Sequence, residues 1–154
     1  MIKDFDKLRE DEIEVLLNAP VHVAILIAGA DGEIDKKERQ EAIEISRSKQ
    51  SRARERLVEY YQAVGESFEQ RFNDLIGSLP ADAEKRTAAI TTELRKLNFI
   101  LPKTDKNFAV ELHSSLKDLA KKIAEASGGV LGYLSVSFEE SKLMELRMIN
   151  DPNK

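Results

Sequence analysis

Between Ala19 and Ala30 the chain reads APVHVAILIAGA, a run in which only His22 carries a polar side chain. A helix that is apolar nearly all round has no face to give to water, so its neighbours must cover it on every side. The run is also well short of the roughly 20 apolar residues needed to span a bilayer. It is therefore expected to be the buried centre of a helical bundle. Gly at 7 and Pro at 4 in 154 residues leave few breakers among plentiful Ala, Glu, Lys, Leu and Arg, so long stretches can stay helical. The fold class read from this is all-α, in one domain over residues 1–154.

Periodicity places the other elements around that centre. Leu8, Ile13, Leu16 and Leu17 recur at helical spacing opposite Asp11, Glu12 and Glu14, which predicts a short first helix over Leu8 to Leu17, ended by Asn18 and Pro20. Ala19 to Ala30 then forms a separate, central helix. Gly32 suits the left-handed residue that closes it, and Asp35 with Glu38 makes a capping box for a helix over Lys36 to Ser48, with Ala42, Ile43 and Ile45 inward. Leu57, Tyr60, Tyr61, Val64, Phe68, Phe72, Leu75 and Ile76 define one long helix, with Gly65 as a place to kink and Gly77 as its end.

Pro80 opens the next helix, in which Ala83, Ala88, Ile90, Leu94 and Leu97 face inward before Pro102 stops it. Thr104 or Asp105 starts another that runs to about Ala126 through Phe108, Leu112, Leu116, Leu119 and Ile123. Ser127 to Ser137 is a Gly/Ser-enriched linker whose Val130, Leu131, Tyr133 and Leu134 are expected to pack on the protein and to mark a partner or homodimer contact. Ser137 with Glu140 makes a second capping box, for a last helix carrying Leu143, Met144, Leu146, Met148 and Ile149. The total is about seven helices.

The turn after the apolar run gathers Asp31, Glu33, Asp35 and Glu38 around Gly32. Asp31 falls in the last turn of its helix, where the macrodipole is negative, so its carboxylate costs about 0.3 to 1 kcal/mol unless a positive group answers it. A bound cation is one such answer. The spacing from Asp31 through Gly32 to Glu38 also matches the second half of an EF-hand loop, but the first and third loop positions fall on Ile27 and Gly29, which offer no side-chain oxygen. An EF-hand is rejected, and a divalent ion here (Ca, Mg or Mn) needs water or carboxylates from elsewhere, Glu139 or Glu140 first among them. Capping alone accounts for Asp35 and Glu38, each contributing about 0.5 to 2 kcal/mol. It leaves Asp31 and the density of negative charge unexplained.

The stretch from Ala19 to Glu38, with its Ala30-Asp31-Gly32, Asp35 and Glu38, resembles the signature of the TerB-like, tellurite-resistance family. The resemblance implies an all-helical fold of two pseudo-repeated hairpins around the central apolar helix, a first motif over about 19–48 and a second over about 105–150. It also implies that the acidic residues of the two motifs approach one another and hold divalent cations. Residue by residue that carries over Asp31, Asp35 and Glu38 from the first motif and Glu140 from the second. The second copy departs from the pattern at Ser127, where the motif has an aspartate, and its linker is longer. Family associations with tellurite and other stress responses and with signalling complexes imply a non-enzymatic binding role.

Other features narrow the classes. A net charge of −4 and the absence of cysteine argue against a generic nucleic-acid binder and exclude disulfides, thiolate metal sites and cysteine nucleophiles. The opening Met-Ile-Lys-Asp-Phe-Asp has no apolar core of the kind a secretory signal needs, so the protein is expected in the cytoplasm. Arg47, Lys49, Arg52, Arg54 and Arg56 form a basic run, read as a solvated face with peripheral membrane association as its alternative. His22 is read as a hydrogen-bonded core histidine and His113 as lying on a polar face. No triad or phosphate cradle is visible, and a metal-dependent hydrolase using the carboxylates is the enzymatic alternative. A purely structural domain is the third.

Overall fold

The computed structural model describes residues 5–29, 39–45, 57–127, 143 and 145–152. Its helices are α1 (Glu10–Ala28), a helical stretch over 39–45 labelled α2, α3 (Val58–Ser78), α4 (Ala83–Arg95), α5 (Leu97–Ile100) and α6 (Lys106–Ser127). A 3-10 turn, Leu101–Lys103, joins α5 to the segment before α6. No strand occurs among the described residues. The fold is all-α.

α1 lies at the centre, packed against α3, α4 and α6 and touching α5. Every residue from Ala19 to Ala28 is buried, as the all-round apolar run requires. The expected break at Pro20 is absent: the two short helices read from the sequence are one helix of 19 residues, with Pro20 inside it. Proline lacks an N–H, so the Leu16 carbonyl one turn earlier loses its intrahelical donor, and a proline at such a position costs about 3 kcal/mol. Here the Tyr60 hydroxyl of α3 donates to the Leu16 carbonyl oxygen at 2.6 Å. The long-range donor replaces the missing backbone one.

Tyr60 is held for this by its surroundings. Its ring stands edge-on to Phe5, Tyr61 and Phe108, with centroids 6.5, 5.1 and 5.8 Å away, an arrangement that aromatic quadrupoles favour. Burial drives the phenol well above its ordinary ionisation range, so it remains a donor. Its neighbour Tyr61 shares a hydrogen bond with Ser115 Oγ, which ties α3 to α6. On the outer side Arg71 grips α1, donating to both Glu14 carboxylate oxygens at 2.7 and 2.8 Å and to Asn18 Oδ1 at 2.9 Å. α3 runs unbroken through Gly65.

At the start of α1, Glu12 is buried, and its carboxylate accepts from the Arg9 backbone N–H at 3.0 Å and from Lys103 Nζ at 2.7 Å. These two donors, the backbone one first, hold its pKa below the usual carboxylate range. α4 opens at Asp82, whose Oδ2 accepts from the Lys85 N–H at 2.9 Å, two residues beyond the expected Pro80. The helical path is interrupted at Lys96 and tightens at Pro102, which divides what the sequence reads as one helix. α6 begins as expected, with Asp105 Oδ1 accepting from the Asn107 and Phe108 N–H groups at 2.8 and 3.3 Å.

Of the expected last helix, capped at Ser137 and carrying Leu143 to Ile149, Leu143 is helical among the described residues, and the part from Glu145 on is not. From Glu145 the chain makes turns, and Leu146 has φ 49, a left-handed conformation that side chains avoid. Tertiary forces outweigh local preference here: Leu146 and Ile149 are buried, and the Asn98 side chain clamps the tail between them. Its Nδ2 donates to the Met148 carbonyl at 2.9 Å and its Oδ1 accepts from the Asn150 N–H at 2.7 Å. Asn98→Ala is expected to cost about 1 to 3 kcal/mol, two bonds of ordinary strength. It should also raise hydrogen exchange at the Asn150 amide while leaving the α1 amides protected; unchanged exchange at Asn150 would show that the clamp is dispensable.

Candidate functional site

The four carboxylates of the expected site, Asp31, Asp35, Glu38 and Glu140, lie outside the described residues, as do Gly32 and the apolar quartet Val130, Leu131, Tyr133 and Leu134. Both ends of the acidic segment are described. α1 closes at Gly29, whose N–H reaches the Ile25 carbonyl at 2.9 Å and whose φ is −98. The helix therefore stops three residues before Gly32, and Gly29 needs no left-handed backbone.

What glycine provides there is room for the end of an arginine side chain. Arg86 of α4 is buried, and its Nη2 donates to the Gly29 carbonyl at 2.8 Å while Nη1 donates to the Ala81 carbonyl at 3.2 Å. A Cβ on Gly29 would sit 2.6 Å from Arg86 Nη2. A guanidinium is thus inserted at the C-terminal, negative end of α1, the position where a positive group is stabilised by the aligned peptide dipoles. It lies at the base of the segment that carries Asp31. At the other end Arg39, half-buried at the start of α2, donates from Nη1 to Asn73 Oδ1 of α3 at 3.5 Å.

Arg86 is the residue that the sequence reading missed, and a signal for it existed. Ile90 and Leu94, four and eight residues on, are buried, so Arg86 stands at an inward register position of the same face. A charge there calls for a buried partner. Ala88, read as inward, is exposed instead.

His22 occupies the same central helix. It is 4% exposed, its Nδ1 finds no hydrogen-bond partner, and it lies close enough to Glu93 of α4 and to Lys96 just beyond it to feel both charges. The expected burial holds, and of the ring nitrogens of this expected hydrogen-bonded core histidine Nδ1 has no partner. Desolvation lowers its pKa. His113 is 9% exposed on α6, not on a polar face, and burial lowers its pKa as well, with Asp151 opposing. Burial therefore disfavours the protonated form of both imidazoles.

Among the described residues, no three His, Asp or Glu side chains come together as metal ligands. No helix among them is long and apolar enough to cross a membrane. Comparison with protein-family models finds no match, and searches of curated proteins and of solved structures find no similar chain.

Two measurements check this site. Gly29→Ala and Arg86→Ala are each expected to destabilise by about 1 to 3 kcal/mol, since both break the charge-assisted bond to the Gly29 carbonyl and the second also removes the one to Ala81. The double variant should cost much less than their sum, and strict additivity in urea unfolding would show that the two residues act separately. For the histidines, the folded pKa lies below the unfolded value of about 6.5, so the unfolded chain takes up protons first as pH falls. Their contribution to stability is complete above that pH and declines below it. His22→Leu should reduce the loss of urea midpoint on going from neutral to mildly acid pH, and a slope identical to that of the parent chain contradicts the assignment.

Proposed function

We propose that the chain is a non-catalytic, cytoplasmic binding module of the TerB-like kind, with two related hairpins and about seven helices. In this reading Asp31, Asp35 and Glu38, joined by Glu140, present an acidic patch to a divalent cation or to a basic group on a partner. The donor set is carboxylate oxygen alone, which suits the hard ions Ca, Mg and Mn rather than softer metals. Tellurite or other stress response and signalling complexes are the settings that the resemblance suggests.

The observation that carries the reading is the way α1 ends. A helix sealed on every side delivers the chain at Gly29 to a buried guanidinium, and Asp31 follows two residues later. An anchored starting point of this kind supports the reading, since preorganised ligands bind with less entropic loss. The same arginine also favours a second reading, in which the carboxylates are caps and counter-charges for Arg86 and bind nothing external.

Calorimetric titration of the full chain with calcium, magnesium and manganese chlorides separates the two. Cation binding predicts heat of binding and a raised melting temperature for at least one ion, both lost in Asp31→Asn/Asp35→Asn. Flat thermograms with an unaltered melting temperature reject the metal reading. Arg86→Gln then distinguishes what remains: if Arg86 competes with the ion, its neutralisation tightens cation binding, and if the charges are purely structural it only lowers stability.

A further inference from the structure

α1 and the arm made of α4, α5 and the 3-10 turn run antiparallel, and three polar contacts along them keep one register. Glu12 meets Lys103, His22 lies beside Glu93, and Gly29 meets Arg86. Steps of ten and seven residues along α1 are thus matched by steps of ten and seven back along the arm. The two outer contacts are complete hydrogen bonds of 2.7 and 2.8 Å. At the middle one His22 is buried with Nδ1 unmet. An unmet polar atom in a packed bundle carries a desolvation cost, and histidine is the side chain whose charge changes near neutral pH.

Protonation adds an N–H and a positive charge at that point. Among the described residues, the charges that act on the ring are Glu93 of α4 and Lys96 just beyond it. Lys96 Nζ already donates to Glu93 Oε1 at 2.9 Å, so the carboxylate is shared with a competing cation. α5 carries no charged residue. The buried ionisable side chains of α3 and α6 are engaged elsewhere: Tyr60 on the Leu16 carbonyl, Tyr61 on Ser115 and His113 beside Asp151. Lys117 and Asp118 of α6 pair with Glu145 and Lys122. On α1 itself, Glu12 and Glu14 are bonded to Lys103 and Arg71. An imidazolium at position 22 therefore gains little inside the closed bundle and is better served by water.

The wall that yields most easily is α4. Of its 13 residues only Arg86, Ile90 and Leu94 are buried, against five aromatic and aliphatic side chains in α3. Away from α1 a helix this short is marginal in water, so undocking and unravelling go together, as one partial opening of the fold. We infer that His22 is an acid-sensitive latch: its protonation releases α4 from α1 and withdraws Arg86 from the Gly29 carbonyl, two residues before Asp31. The latch operates whether or not the acidic segment binds an ion. Burial lowers the pKa of His22 in the closed form, whereas in the open form the ring meets water and regains its ordinary value of about 6.5. The open form takes up the proton more readily, so opening increases as pH falls, by up to about tenfold per unit below that value.

Native-state hydrogen exchange of the full chain, corrected for intrinsic rates, tests this. Between about pH 6.5 and about pH 5.5 the amides of Ile90 and Leu94 should lose protection by up to about tenfold, while those of Leu112 and Leu116 in α6 keep theirs. The response of α4 should vanish in His22→Leu and persist in His113→Gln. His22→Gln takes the place of His22→Leu if that variant does not fold. Titration of the His22 ring by NMR needs no variant and should give an apparent pKa below about 6.5. Constant protection of α4, an equal loss in α6, a response that survives without His22 or disappears in His113→Gln, or a His22 ring that titrates at or above its ordinary value overturns the inference.

Discussion

The hydrogen bond from the Tyr60 hydroxyl to the Leu16 carbonyl is what allows one helix to serve as the axis of this fold. Pro20 sits where a backbone donor is needed, at the start of the fully buried part of α1, and the Leu16 carbonyl belongs to a buried residue. An unmet carbonyl in that position carries the full desolvation cost of a buried acceptor. Tyr60 meets it from α3, so the continuity of α1 is a tertiary property and not a local one. From that continuity follow the burial of Ala19 to Ala28 and the position at which α1 releases the chain toward Asp31.

Charge inside the bundle is arranged by the same rule, that a buried polar group needs a partner. Glu12 is satisfied at the first turn of α1 by a backbone N–H and by Lys103, and the last turn of α1 is satisfied by Arg86. Each pair puts the favourable sign at its end of the helix dipole: acid at the N-terminus, base at the C-terminus. Both also join α1 to the α4–α5 arm, since Arg86 and Lys103 lie at the two ends of that arm. The central helix is thus clamped at both ends by the same neighbour. His22 is an exception to it, a buried ring with Nδ1 unmet between these clamps.

Much of this was legible in the sequence where a single period governs a segment. α3 and α6 carry long uninterrupted apolar stripes, and their spans were read to within a residue or two. The reading of α1 failed because proline is a local stop signal, and nothing near Pro20 in the chain reveals that Tyr60, forty residues away, removes its penalty. The tail departs in the opposite sense: Leu143 is helical as read, but from Glu145 on burial of Leu146 and the Asn98 clamp impose turns where the spacing reads helix. Of the candidate site, the run of negative charge was legible in the sequence, and the guanidinium at the end of α1 was not. Arg86 is far in sequence from Gly29, and only its register with Ile90 and Leu94 hinted that it points inward. The four proposed ligands themselves, Asp31, Asp35, Glu38 and Glu140, lie outside the described residues.

The central claim is that Tyr60 exists to satisfy the carbonyl that Pro20 leaves open, and a double-mutant cycle of Tyr60→Phe with Pro20→Ala tests it most directly. Alanine at position 20 restores the N–H that Leu16 lacks. Equilibrium urea unfolding should therefore show Tyr60→Phe costing about 1 to 3 kcal/mol with Pro20 present and clearly less with alanine in its place, a coupling of about 1 kcal/mol or more. An equal cost of Tyr60→Phe in the two backgrounds would contradict the account, because the hydroxyl would then be stabilising something other than the interrupted helix.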